Sequence, residues 1–290
     1  MLTAELLANS LIAGILLGGF YAAISIGVSI SFGLLDIANI AHPVFAVLGA
    51  YTTWLLSAGA GMDPIVAGFV AAPAFYALGL GLYVLYHHAF ERRGEQSLQG
   101  LVFFFGILFL VEMLILLRYG ADYRLVETRY TAASIRLGVV GLPFRLVLPF
   151  VIGVAVTLAL QLFLTRTFVG RMVLGVSQDG LAVRLMGANP TRLKAIAFGV
   201  SIATASIAGT LMIMIGPVEP SAGREFIGRV FAVAILGGMG SVTGTLLAAI
   251  TLGVVESLTS TFYGPAWALV ASFGILLLVL AVRPAGLLGR

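Results

Sequence analysis

Eight runs of mainly apolar residues, most of them long enough to cross a lipid bilayer, take up the greater part of this 290-residue chain. They fall at 7–34, 43–57, 64–88, 98–117, 146–164, 193–215, 227–261 and 265–282. A spanning helix needs about 20 apolar residues, because each residue rises about 1.5 Å across a core about 30 Å thick. Inside that core a segment must satisfy its own backbone hydrogen bonds, so the runs are expected to be helices and not strands. The 227–261 run is too long for one crossing, and its GGMGSVTG stretch at 237–244 reads as a break between two shorter segments. The expected fold is all-α: a polytopic membrane helical bundle of about eight to nine segments with discontinuous helices, forming one domain over 1–290.

Composition agrees with a lipid-covered chain. Sixty per cent of the residues are hydrophobic and 10% are charged, whereas a soluble domain carries about 25% charged residues. The net charge of +4 comes from 15 Arg and one Lys. In a membrane protein such residues orient the loops, so no nucleic-acid partner is implied. Cysteine is absent, which excludes a disulfide framework and a thiolate metal site. The stretch before the first run carries Glu5 and no Lys or Arg, unlike a signal peptide, so that run is expected to stay in the mature protein.

Basic loops give the orientation. The 166–194 loop holds Arg166, Arg171, Arg184, Arg192 and Lys194 against Asp179; the 87–98 loop holds Arg92 and Arg93; the C-terminus holds Arg283 and Arg290. All three are assigned to the cytoplasm. Helix parity then puts 118–145 outside, despite Arg118, Arg124, Arg129, Arg136 and Arg145 and only Asp122 and Glu127 to offset them. Within it, 134–144 carries short apolar runs around Gly138 and Gly141, the pattern of a small hairpin. The loop is either a partner contact or a solvated connector.

Two regions combine glycine, proline and polar residues inside apolar sequence. In the first, at 14–51, Gly14, Gly18 and Gly19 have close-packing spacing. The helix is expected to end near Gly33, followed by Asp36, Asn39 and His42, and to resume with Pro43 at the first helical position. The second region is 234–253. Non-helical backbone at membrane depth is tolerated when it is buried in protein or lines a wet cavity, and transporters place such breaks along their solute path. Asn39 and His42 either satisfy backbone groups at the break or line a path. Glu112 and Glu256 lie inside apolar runs and are expected to face protein or water, in a structural or a transport role. Glu219, between Pro217 and Pro220, reads as solvated. His87 and His88 sit at a helix end as interfacial anchors.

The polar segment 170–198, GRMVLGVSQDGLAVRLMGANPTRLKAIAF, reads as a knob between two membrane runs. Ser177 or Asp179 can cap a short helix. Leu181 with Leu185, and Ala182 with Met186, share a side at i,i+4, and Arg184 emerges from the other. Gly187 is placed for a left-handed end. Asn189 then caps the next helix, with Pro190 at its first position. The apolar positions suit either a partner's groove or a membrane surface.

GGFYAAISIGVSISFGLLDIANIAHPVFAVLGAY, the segment from Gly170 to Met212 and AILGGMGSVTGTLLAAITLGVVESL with the terminal RPAGLLGR occur in an order that resembles branched-chain amino-acid ABC transporter permeases. The likeness is to the shorter, LivH-like type and spans nearly the whole chain. The resemblance implies a permease subunit in the bacterial inner membrane, with a cytoplasmic C-terminus. Its partners would be two cytoplasmic ATPases, a second related permease, a periplasmic substrate-binding protein and membrane lipid. It also implies no cofactor in this chain, ATP being bound by the partner ATPases; the sequence has no GxxxxGK[ST] loop. The 166–192 loop would hold the coupling helix, with Gly170, Arg171, Asp179, Gly180, Arg184 and Gly187 at matching positions. The solute path is expected near Tyr21, Asn39, His42, Gly237, Gly238 and Gly240, without a catalytic or metal site.

The chain departs from the family where it reads Asn39-Ile40-Ala41-His42-Pro43: the family usually has Gly after the His, and Val44 stands where a polar residue is common. The segment between Glu91 and Gln96 also lacks the usual arginine–proline pattern. The same machinery in relatives carries urea, short-chain amides or carboxylic and aromatic acids. Two other readings use different residues: an ion-coupled carrier working through Asp36, Glu112 or Glu256, and a membrane enzyme with His42 as base. The second lacks any visible nucleophile–base set.

Overall fold

The computed structural model describes residues 2–93, 98–128, 130–137 and 140–289. Gln96, Arg129, Gly138 and Arg290, used in the sequence reading, lie outside them. Among the described residues, eight helices are long and apolar enough to span a bilayer. They are α1 (Leu2–Ser31), α2 (His42–Ala60), α3 (Pro64–Ala89), α4 (Leu98–Tyr119), α5 (Phe144–Arg166), α8 (Pro190–Ile215), α10 (Val242–Tyr263) and α11 (Pro265–Val282). The chain is therefore a multi-pass membrane protein with an all-α bundle. Three shorter helices complete it: α6 (Phe168–Gln178), α7 (Gly180–Leu185) and α9 (Ala222–Gly237). At 16 residues, α9 is about 24 Å long and does not cross the apolar core alone.

Helix starts follow local chemistry. Asp63 accepts from the Ile65 amide ahead of Pro64 at α3, Asn189 from the Arg192 amide ahead of Pro190 at α8, and Ser241 from the Gly244 amide at α10. Each satisfies an amide that the first turn leaves free. The 227–261 run does divide, between α9 and α10, at Gly238 and Gly240 with φ of 92° and 80°. Left-handed backbone of this kind is open to glycine without penalty. The C-terminal motif closes that junction, since the amides of Leu287 and Leu288 donate to the Leu236 and Gly237 carbonyls at the end of α9.

Helices α1 and α8 form the centre. Gly14 and Gly18 bring α1 onto the α10 backbone at Gly253 and Ile250, and Gly153 of α5 sits against the Gly19 carbonyl. On α8, a methyl at Gly209 would lie 2.0 Å from the Ala46 carbonyl oxygen of α2, and one at Gly199 would meet Tyr76 of α3. Small residues at such crossings let backbones approach where lipid supplies no hydrophobic drive. Helices α3, α4, α5 and α11 form the periphery, with Leu85, Leu114, Leu158 and Leu277 exposed on apolar outer faces.

One end of the bundle carries the hairpin β1 (Ser134–Leu137) and β2 (Val140–Pro143), paired antiparallel as 134–144 predicted. Tyr130 donates to Asp63 there, the Gly141 amide to Asn9, and Arg124 bridges Val218. The opposite end carries α6, α7 and a 3-10 turn at Glu91–Arg93. Lys194 reaches Glu91 at this end, so the 87–98 and 166–194 segments lie together, as parity required. These are called the hairpin end and the knob end below.

The structure departs from the sequence reading at the start of α2, in the knob and at α9, which begins at Ala222 and not at 227. His42, and not Pro43, is the first residue of α2. The knob holds two helices where one was expected, because Thr167 starts α6 directly after α5 by accepting from the Gly170 amide. Ser177 caps nothing: its hydroxyl donates to the Leu174 carbonyl, and Asp179 alone caps α7 through the Leu181 and Ala182 amides.

Candidate functional site

After α1 the chain keeps helical bonds as far as Leu34, then turns at Asp36, which has φ of 57° and is exposed. It runs in non-helical backbone to His42. Asn39 and His42 are fully buried; among the described residues the Asn39 side-chain amide has no hydrogen-bond partner, and the His42 ring has no side-chain partner and only the Ile24 backbone within reach. The His42 ring lies on Gly27, where a methyl would come within 2.2 Å of Cε1. The same point is 2.7 Å from Thr204 Oγ1. Thr204 donates to the Ser201 carbonyl, and Ser201 donates to the Gly27 carbonyl at 2.7 Å. The result is a polar cluster where α1, α2 and α8 meet, with unused capacity on Asn39 and His42. A buried polar group without a partner costs about 1–3 kcal/mol, so native proteins leave few of them.

The second break meets the first. A methyl on Gly33 would lie 2.0 Å from the Gly240 amide nitrogen, so the α9–α10 junction sits on the turn that opens the 32–41 segment. Gly237 packs on Gly244, and Gly238 on Gly289. The sequence-predicted path residues do not all converge, however. Tyr21 is on α1 itself, His42 contacts α1 at Gly27, and Gly240 contacts the helical turn that continues α1 at Gly33. Steps of six residues rise about 9 Å and turn the helix by about 240°, so the three contacts lie on three sides of α1.

Tyr21 belongs to a different arrangement. It donates to Glu256 Oε2 at 2.5 Å, while Glu256 Oε1 accepts from Arg229 Nε at 3.1 Å and Ser272 Oγ at 2.8 Å. This node joins α1, α9, α10 and α11. Arg229 also lies over Phe226, with Cζ 5.5 Å from the ring centroid. Glu112 of α4 pairs with Arg224 of α9 at 2.9 Å. Both intramembrane acids thus face protein, as expected, and their partners are the two arginines of α9. The sequence offered a signal for this, since Arg224 and Arg229 are cations in an otherwise apolar region.

At the knob end the six predicted coupling residues divide by role. Gly170 is buried, and a methyl there would lie 2.0 Å from the Phe163 carbonyl oxygen, so it locks α6 onto α5. Asp179 caps α7, and Gly187 ends the knob with φ of 85°. Arg171 and Arg184 are exposed, and Gly180 has open space around it. Leu181, Leu185 and Met186 are 66%, 80% and 70% exposed at an end otherwise rich in polar groups. Beside them lies a hollow of about 800 Å³ lined by Val176, Leu181, Arg184, Ala188, Pro190 and Lys194.

Lys194 was read only as a loop charge, and its partner was missed. Glu91 Oε1 accepts from Lys194 Nζ at 2.5 Å; Glu91 Oε2 meets Tyr83 Oη and His87 Nδ1, each at 2.7 Å. Burial alone would raise the Glu91 carboxyl, but hydrogen bonds from Lys194, His87 and Tyr83 outweigh it and hold the group below the ordinary carboxylate value. Glu219 was read as solvated. It lines, with Glu225, a hollow of about 300 Å³ at the hairpin end whose apolar wall is Phe20, Met212, Ile215 and Phe226.

The profile of the family described as branched-chain amino acid transport system / permease component matches residues 10–280. The chain belongs to this family. The permease is 28% identical over 296 residues to the high-affinity branched-chain amino acid transport system permease protein BraD of Pseudomonas aeruginosa, covering 97% of this chain and 95% of that protein. It is 27% identical to the corresponding LivH of Escherichia coli, over 96% of this chain and 94% of that one. A shorter match, 37% over 128 residues, reaches the LivM permease of Escherichia coli, covering 43% of this chain and 29% of that protein. No solved structure matches the permease.

Proposed function

We propose that this permease is a transmembrane subunit of an ATP-driven importer that carries branched-chain amino acids across the bacterial inner membrane. The observation that carries the reading is end-to-end similarity to two proteins named as high-affinity branched-chain amino acid permeases. A second, related permease completes the pathway; the additional match to LivM supports a pair of related subunits. The knob end faces the cytoplasm and seats an ATPase on α7, whose exposed Leu181, Leu185 and Met186 offer an apolar contact that water disfavours. The hairpin end receives solute from a binding protein. Its hollow suits such a solute: the aliphatic side chain lies against Phe20, Met212, Ile215 and Phe226, and the ammonium faces Glu219 and Glu225. Of the three acids of the ion-coupled reading, Glu112 and Glu256 are paired with Arg224 and Arg229, and Asp36 lies exposed on the turn after α1.

Isolation of the permease from its native membrane tests the docking reading. The unaltered chain is expected to bring down two ATPases and a second permease. Arg184→Glu, and Gly187→Pro at a backbone that proline does not adopt, are expected to release the ATPases and keep the second permease. Recovery of the unaltered chain alone from gently solubilised membrane would refute the importer assignment.

A further inference from the structure

Helix α3 presents a stripe to α8 at four-residue spacing. A methyl on Gly79 would lie 2.8 Å from Gly199 Cα; Tyr83 meets Phe198, with ring centroids 6.2 Å apart; His87 stacks on Tyr83 at 5.9 Å and 21°. The next position is Glu91. Residues four apart share a helix face, and the short turn after α3 keeps Glu91 in line with that face. From the other side, Lys194 and Phe198 are four apart on α8, and both reach the same stripe. The Glu91 carboxylate is therefore the last element of the α3–α8 seam. It is filled from three directions, by Lys194, Tyr83 and His87.

Lys194 is the chain's only lysine. It also lines the hollow beside α7, between the exposed apolar face and the body of the bundle. The knob otherwise joins the bundle through α6, which packs on α5 at Gly170 and on α8 with Val173 and Val176 buried, and through the Gly187–Asn189 turn into α8. Both α6 and the loop turn thus lead a push on the knob into the start of α8. The ion pair is a polar link there between the start of α8 and the turn that ends α3.

We propose that Lys194 and Glu91 are positioning residues that transmit displacement of the knob to α3, so that α3 and α8 move as one body during the transport cycle. The proposal rests on the reading of the knob as the ATPase contact. The two residues do not touch the solute, and they act through the seam. A lysine on a flexible stem suits this role, because its ammonium keeps its partner through small displacements. Burial of the carboxylate with three donors makes loss of any one of them costly, which favours a coordinated shift over sliding.

The test uses the complete complex in proteoliposomes. ATP hydrolysis and leucine uptake are measured together, with subunit recovery read separately. Glu91→Gln and Lys194→Met are expected to keep the ATPases bound and hydrolysing while uptake per ATP falls about tenfold, within the range by which linking residues alter coupling. Lys194→Arg keeps most of the uptake per ATP, and the exchange Glu91→Lys with Lys194→Glu recovers part of it. Unchanged uptake per ATP in both single variants overturns the proposal. So does a fall in folded yield with uptake per ATP preserved, which is what a purely structural ion pair would give. Failure of the unaltered complex to retain ATPases sinks the docking reading instead, and the pull-down reports that separately.

Discussion

Two polar regions inside the bundle have opposite fates. Around Glu256, a buried carboxylate meets a guanidinium, a phenol and a serine, so its oxygens are used on several sides. Around Asn39 and His42, side chains that are equally buried find no side-chain hydrogen-bond partner among the described residues, and His42 has only the Ile24 backbone within reach. The first joins four helices and gives each a fixed partner. The second lies where non-helical backbone after α1 enters the first residue of α2, beside a glycine that leaves just enough room for the ring. A charge inside an apolar bundle is tolerated when it is paired, and pairing ties it to structure. A neutral polar group left unpaired keeps its capacity for a passing solute or water.

The widest expected separation between the regions comes from Glu256→Ala. Removing the carboxylate strands Arg229, which costs about 3–5 kcal/mol for a buried pair broken on one side. Thermal unfolding followed by size exclusion in detergent should show a large drop in folded protein. Unchanged stability would erase the contrast. Next is the pair Asn39→Ala and His42→Ala. Uptake is expected to fall by roughly thirtyfold, a loss of transport-cycle stabilisation, while thermal stability changes far less than for Glu256→Ala because no charge pair is broken. A matching loss of stability would place these residues with Glu256 as structural. The smallest effect is expected from Tyr21→Phe, which removes one donor to Glu256 and should cost about 1 kcal/mol in unfolding with little change in uptake. A transport defect without destabilisation would give Tyr21 a role on the path beyond its bond to Glu256.

Much of this was legible in the sequence because lipid imposes simple rules. Apolar length gave the spans, Asn189 with Pro190 marked the start of α8, Pro43 marked that of α2 to within one residue, and the glycines of 237–244 marked the α9–α10 junction. Gly187 and Asn189 revealed the end of the knob through local backbone chemistry alone. What stayed hidden depended on distant pairing. Nothing near Glu256 in sequence names Tyr21, and nothing near Glu91 names Lys194, 103 positions away. The contact of the two breaks at Gly33 and Gly240 is likewise a consequence of helix crossing. The start of α9 at Ala222, ahead of the apolar run, was missed because Arg224, Glu225 and Arg229 disguise a helix whose charges point into ion pairs and a hollow.

The central claim is that the Asn39–His42 break opens as part of the solute path. The permease has no cysteine, so Asn39→Cys introduces its sole thiol. The decisive measurement is the rate at which that thiol, in the reconstituted complex, reacts with a membrane-impermeant charged thiol reagent. The account predicts slow labelling in the resting state, faster labelling when the ATPases are trapped with nucleotide, and protection by leucine. Equal labelling in every state, with no effect of leucine, would contradict it.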